Sequence, residues 1–158
     1  MARTTSSLRL SIQKVLSDHA LWAESNGASG ARAELREEDL SQIDLSGIDL
    51  NGADLRACNF SGANLSKGVF ILTDFTSANL SGITAHDADF SGANLSEVNL
   101  RDAQLRNAKF DPIELKGPDG TLLGRAAQSN LTGADLRGAD LFGVVLENAM
   151  LQRIVSDT

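Results

Sequence analysis

The chain has 158 residues, the length of a single domain. Its 14 Lys and Arg against 21 Asp and Glu leave a formal net charge of −7, which weighs against non-specific binding to nucleic acid or anionic lipid, since both need a basic footprint. Cys58 is the single cysteine, so no disulfide forms within the chain, and no apolar run reaches the length of a membrane span.

No signal-peptide core lies between Met1 and Ala20, and the cytoplasm is the default expectation. The first 17 residues carry only basic charges and several Ser, as organelle transit segments do. An amphipathic helix is the simpler reading. Leu8, Ile12, Val15, Leu16, His19 and Trp22 follow helical spacing, while Arg9, Lys14 and Asp18 face the other way. This predicts a helix over about 7–25, capped at Ser6 or Ser7 and ended by Asn26-Gly27. Its polar side is too weakly basic to favour a membrane surface, so residues 1–30 are expected to cap the open end of the remaining chain.

Beyond residue 30 the chain is a repeat. An apolar residue, i, recurs every five positions from Leu35 to Leu115, and again from Leu131 to Leu151. A period of five is neither helix nor strand. Of the 22 centres 16 are Leu, five are Phe and one is Ala85; position i−2 is Ala in 11, so both positions want burial. Positions i−1, i+1 and i+2 are mostly polar. Gly47, Gly52, Gly62, Gly82, Gly92, Gly133, Gly138 and Gly143 occupy i+2, where a type II turn needs a positive φ. Four such corners make a square coil of 20 residues, with coils stacked about 4.8 Å apart through parallel hydrogen bonds.

The units Ser61-Gly62-Ala63-Asn64-Leu65, Ser91-Gly92-Ala93-Asn94-Leu95 and Thr132-Gly133-Ala134-Asp135-Leu136 resemble the pentapeptide-repeat family, consensus A(D/N)LXX. The segment His19–Leu35 also resembles the leader that often precedes such repeats. The resemblance implies an all-β solenoid, a right-handed quadrilateral parallel β-helix. Here it would make about 5.5 coils over residues 31–152, behind an N-terminal capping α-helix and before a tail at 153–158.

The 20-residue coil predicts interior ladders. Leu50, Phe70, Phe90 and Phe110 share one side; Leu55 and Phe75, and Phe60 and Leu80, stack on two others. Ala85 is offset by a large Ile83 two residues earlier, and Gly68 beneath Phe70 is the reverse exchange, so interior volume is conserved. Leu115 and Leu131 are 16 residues apart; removing 11 restores the period and marks 116–126 as a loop inserted at a corner. Its turn is Gly117-Pro118-Asp119-Gly120, and Glu114-Leu115 is placed to pair with Leu122-Leu123. On that register Leu131 stacks on Leu100, Leu136 on Leu105 and Leu141 on Phe110. Recognition and a tolerated insertion both stay open for the loop.

No catalytic, cofactor-binding or metal-ligating set is expected. His19 and His86 are remote from each other, Cys58 sits at an inward i−2 position, and the Gly residues carry no phosphate-loop fingerprint. Surfaces remain. The first units present an acidic row that includes Asp39, Asp44, Asp49 and Asp54; some bacterial family members bind DNA gyrase by resembling duplex DNA. Asn dilutes that row further along and Arg stands beside it, so a solvated face is the plainer reading. Val69, Ile71 and Leu72 point outward, as do Phe142 and Val145, and Met150 with Leu151 is expected near an uncovered last coil that a second copy could close as a homodimer. With Pro118 and Asp119 on the loop, these are the candidate interaction residues. The preferred function is a non-enzymatic scaffold for an unknown protein partner, without direct nucleic-acid or membrane binding; the alternative is a gyrase-directed DNA mimic that modulates quinolone sensitivity.

Overall fold

The computed structural model describes residues 5–157, with side chains from Leu10 onward. Helix α1 (Thr5–Glu24) starts two residues before Ser7; the side chains of Ser6, Ser7 and Leu8, expected to cap it and pack, lie outside the described residues. Asn26 and Gly27 end the helix in left-handed conformations, with φ of 52° and 85°, and Gly27 N–H donates back to Trp22 O at 2.8 Å. Ile12 and His19 are buried, and Val15 and Leu16 pack on the same core. Gly30 lets the following segment lie flat on the helix. A Cβ there would strike the Asp18 carbonyl and the Leu21 side chain; with that space open, Ala31 N–H donates to Asp18 O at 3.0 Å.

Beyond Ala33 the backbone turns once per five residues. In each unit the N–H of i+3 donates to the carbonyl of i, as Ala53 does to Leu50 at 3.0 Å. Position i+2 has a positive φ in all 15 turns from Glu37 to Asn107, although ten of those residues are not Gly. Bonding between coils therefore imposes the corner, and Gly only lowers its steric cost. Residues at i−1 bridge in parallel to residues 20 positions on: Glu34 with Asp54, Asp39 with Asn59, Asp44 with Asn64 and Asp49 with Val69. Five-residue turns under a 20-residue ladder give four sides per coil, a quadrilateral β-solenoid built from isolated bridges rather than long strands.

The core runs up its axis. Leu50, Leu55, Phe60, Phe70, Phe75, Leu80 and Phe90 are fully buried and Phe110 is nearly so. Phe70 stacks on Phe90 with ring centroids 5.2 Å apart, and Phe90 on Phe110 at 5.5 Å. Phe75 meets Phe70 and Phe90 edge-on at 5.5 and 5.9 Å, both favoured ring geometries. Gly68 creates room for one of these rings: a Cβ there would lie 2.5 Å from the Phe70 edge. Ile83 and Ala85 are both buried, the opposite exchange of large and small.

The excursion differs from the expected 11-residue loop. Leu115 is not a coil centre; it lies in β1 (Ile113–Lys116), which pairs antiparallel with β2 (Leu122–Ala127). The partners are Glu114 with Ala126 and Lys116 with Leu122, with a register shift between them, so Glu114 faces Ala126 rather than the Leu122-Leu123 pair. Asn94 bridges Asn130, Asn99 bridges Asp135 and Gln104 bridges Asp140, each an interval of 36 rather than 20. Leu131 thus lies over Leu95, Leu136 over Leu100 and Leu141 over Leu105, one side earlier than expected. The excess is 16 residues, not 11. The two values differ by one repeat, so spacing alone cannot tell a coil centre from a strand leucine that falls five residues after Phe110.

Candidate interaction surface

The acidic row has a structural cause. At most corners the side-chain oxygen of the i−1 Asp or Asn accepts the N–H of i+1: Ser41 donates to Asp39 at 3.1 Å, Ser46 to Asp44 at 3.0 Å and Asn51 to Asp49 at 3.0 Å. The same oxygens receive side-chain amides from the next coil, Asn59 on Asp39 at 3.0 Å and Asn64 on Asp44 at 3.1 Å. Asn79 then donates to Asn59, and Asn99 to Asn79, each at 3.2 Å, which continues an amide ladder up one side. Hydrogen bonds from Ser41 to Asp39, and from Ser46 to Asp44, hold both carboxyls below the usual carboxylate range. Asp and Asn are therefore favoured by the turn before any partner is considered, although corners also form behind Val69, Thr84 and Gln104.

Asp54 departs from the expected exposed row. It is 4% exposed, gripped by Arg36 Nε at 2.6 Å and by both Arg56 Nε and Nη2 at 2.9 and 2.8 Å. Two later carboxylates are also matched. Asp135 meets Arg137 at 2.6 Å, and the Arg137 hydrogen bond draws its carboxyl down to about 2; Asp140 meets Arg106 at 2.6 Å. Asp39, Asp44 and Asp49 remain exposed, on three different sides.

The structure does bring together the outward Val69–Leu72 corner and the hairpin. A Cβ on Gly92 would lie 2.9 Å from Leu72 Cδ2 and 3.1 Å from Ile113 Cγ1, so the base of the hairpin rests on this corner. Val69 and Ile71 are half-buried, and Leu72 stays exposed. Ser129 secures the chain's return: its Oγ accepts Gly92 N–H at 3.0 Å and donates to Phe90 O at 3.1 Å. At the other end Pro118 and Asp119 are exposed in a turn closed by Thr121, whose N–H and hydroxyl donate to Asp119 at 3.1 and 2.7 Å. Between base and tip Leu122 is 65% and Leu123 45% exposed. Neither was among the candidate residues read from sequence; the only signal was an adjacent leucine pair just after a turn and off the five-residue register.

The later corner is separate. Phe142 is 73% and Val145 61% exposed, with Met150 also outward, whereas Leu151 is half-buried against the core. The Arg106 guanidinium lies 5.9 Å from the Phe142 ring centroid and is oriented by its Asp140 ion pair. Cys58 is buried and its Sγ–H donates to Leu35 O; burial pushes the thiol up to about 11, so it is an inert core group. Among the described residues no group of three or more His, Cys, Asp or Glu could hold a metal ion, and no helix is long and apolar enough to cross a membrane.

These elements define a class: a repeat solenoid that carries a braced arm and exposed apolar corners. The profile described as Pentapeptide repeats matches in eight copies, over residues 33–70, 73–111 and 125–154, and the longer of its two gaps, 112–124, falls on most of the hairpin. The chain belongs to the pentapeptide-repeat family, whose members are generally non-catalytic structural repeat proteins. A pentapeptide repeat protein from the Arabidopsis thaliana thylakoid lumen is 31% identical at a TM-score of 0.61, with 75% of this chain and 71% of that one covered. HetL from the cyanobacterium Nostoc sp. strain PCC 7120, a pentapeptide repeat protein involved in heterocyst differentiation regulation, is 25% identical at a TM-score of 0.53, covering 79% and 56%. QnrB1, a plasmid-mediated fluoroquinolone resistance protein, is 19% identical at a TM-score of 0.27, covering 77% and 69%. No curated protein matches the chain.

Proposed function

We propose that this chain is a non-enzymatic protein-interaction scaffold, a solenoid wound right-handed over about five coils, whose hairpin arm makes the primary contact. The observation that carries the reading is the exposed Leu122–Leu123 pair on an arm braced against Leu72 and Gly92. An apolar pair held in place before binding loses little freedom on contact, which is how a small surface becomes a strong anchor. The partner is a protein with an apolar recess for these leucines.

Gyrase-directed DNA mimicry is not favoured. Duplex DNA carries one charge per about 1.7 Å of its axis. Here successive coils repeat every roughly 4.8 Å, and Asp54, Asp135 and Asp140 are each matched by Arg.

A photoreactive residue in place of Leu123, compared with one in place of the exposed Gln104, tests the proposal in cells. A discrete adduct from position 123 and none from 104 is expected; an adduct of twice the chain mass would identify a second copy as the partner. Equal labelling from both positions, or none from 123, would count against the arm.

A further inference from the structure

His19 is fully buried under α1 in a role the repeat does not require. Its Nδ1 accepts Ala33 N–H at 2.9 Å, so the ring proton sits on Nε2, which is buried without a partner. The ring stacks on Trp22 with centroids 5.3 Å apart. Ala33 lies at the start of the first coil, where its carbonyl accepts Asp54 N–H at 2.9 Å. One imidazole nitrogen thus ties the helix to the backbone edge of the solenoid.

We propose that α1 is an acid-released cap, latched by neutral His19 on Ala33. Protonation converts Nδ1 from acceptor to donor, sets two N–H groups against each other, and places a cation where no water reaches. The charged groups around the ring are Asp49 of the first coil, which favours the cation, and Arg32 before it, which opposes it. Arg32 is itself held by Gly52 O at 3.3 Å and Glu34 at 3.6 Å; on α1, Asp18 is paired with Lys14 at 2.6 Å. Burial outweighs Asp49, so the ring titrates below the ordinary histidine value in the closed state.

This shift sets the pH dependence of the cap. With the cap open, His19 takes up its proton near the ordinary value of about 6.5. The latch is complete above that pH and weakens as pH falls towards the lower closed-state value, because only the open form binds the proton there. Across this window the opening constant rises by up to about tenfold per pH unit. Opening uncovers Ile12 and the apolar end built by Leu35, Leu40 and Leu45, all buried in the closed form. The N-terminal coil would then offer an interaction surface only in acid.

Trp22 is the only tryptophan, so its fluorescence reports on the ring beside it. The full chain should be titrated from pH 8 to 5 while hydrogen exchange is followed in α1 and in the Phe60–Phe90 coils, with intrinsic exchange rates corrected for pH. We expect α1 opening to rise several-fold between about pH 6.5 and 5.5 with the Trp22 signal, while the coils stay protected. His19→Asn keeps an acceptor for Ala33 but cannot titrate, and should respond flatly. Unchanged α1 protection down to pH 5, or the same response in His19→Asn, would overturn the latch. If that variant does not fold, NMR titration of His19 in the native chain decides: titration at the ordinary value with α1 still protected overturns the proposal, and titration below it together with α1 opening supports it.

Discussion

Phe90→Ala is expected to lower stability by about 3–5 kcal/mol, more than other single truncations. The ring is fully buried and touches three others: Phe70 at 5.2 Å, Phe110 at 5.5 Å and Phe75 at 5.9 Å. No neighbour can collapse into the space, because each is fixed by its own coil's bridges, such as Val69 to Asp89 and Asp89 to Lys109. The cavity term therefore stays close to its maximum. A solenoid holds together through nearest-neighbour contacts, so the loss should also weaken coupling between the coils on either side. Urea unfolding followed by far-UV circular dichroism would show an earlier and broader transition. A shift worth less than about 1 kcal/mol would mean the ring does not bridge these coils.

Deleting Asp111–Ala126 should leave the solenoid folded and abolish recognition. The deletion joins Phe110 to Ala127 and places Ala127, Gln128, Ser129 and Asn130 between two centres, which is a complete five-residue unit ending at Leu131. Ser129 is already turned inward and bonded to Phe90 and Gly92, so the shortened corner needs little rearrangement. Hairpin packing on Leu72 is lost while a long loop closure is removed, two effects of opposite sign, and the net change should stay within about 2 kcal/mol. Binding to the partner trapped through position 123 should weaken at least about tenfold, the loss of roughly 1.4 kcal/mol of contact. Full binding by the shortened chain would move the contact surface elsewhere, with the Phe142–Val145 corner the next place to examine.

Much of the fold is legible in the sequence because its determinants are local. Each Leu or Phe centre, small i−2 residue and turn lies within five residues, and the interior ladders emerge once the coil is given 20. The hairpin return is not local. Leu115 matches the period and the leucine preference of a coil centre, and only its antiparallel pairing removes it from the series. The surface is less legible for a related reason. An Asp at i−1 looks the same whether its oxygen closes a turn, as Asp39 does for Ser41, or sits between arginines, as Asp54 does. Leu122 and Leu123 read as strand residues because hydrophobicity is the mark of burial, and nothing adjacent to them says that this ribbon stands clear of the core. The helix face was readable; the His19–Ala33 bond joins positions 14 apart and was not.

The chain register across the hairpin can be measured directly with paired cysteines. Bridged residues of adjacent coils lie about 4.8 Å apart, within the Cα range a disulfide spans, roughly 4.4–6.8 Å. The native thiol Cys58 is buried and does not compete. Asn94→Cys with Asn130→Cys should oxidise readily and stay folded, because these two residues form a bridge. Asn99→Cys with Asn130→Cys should stay reduced under the same conditions, since Asn99 bridges Asp135 on the next side. A disulfide in the second pair and not in the first would restore Leu115 to the coil, set Leu131 over Leu100, and contradict the 16-residue excursion on which the arm's position depends.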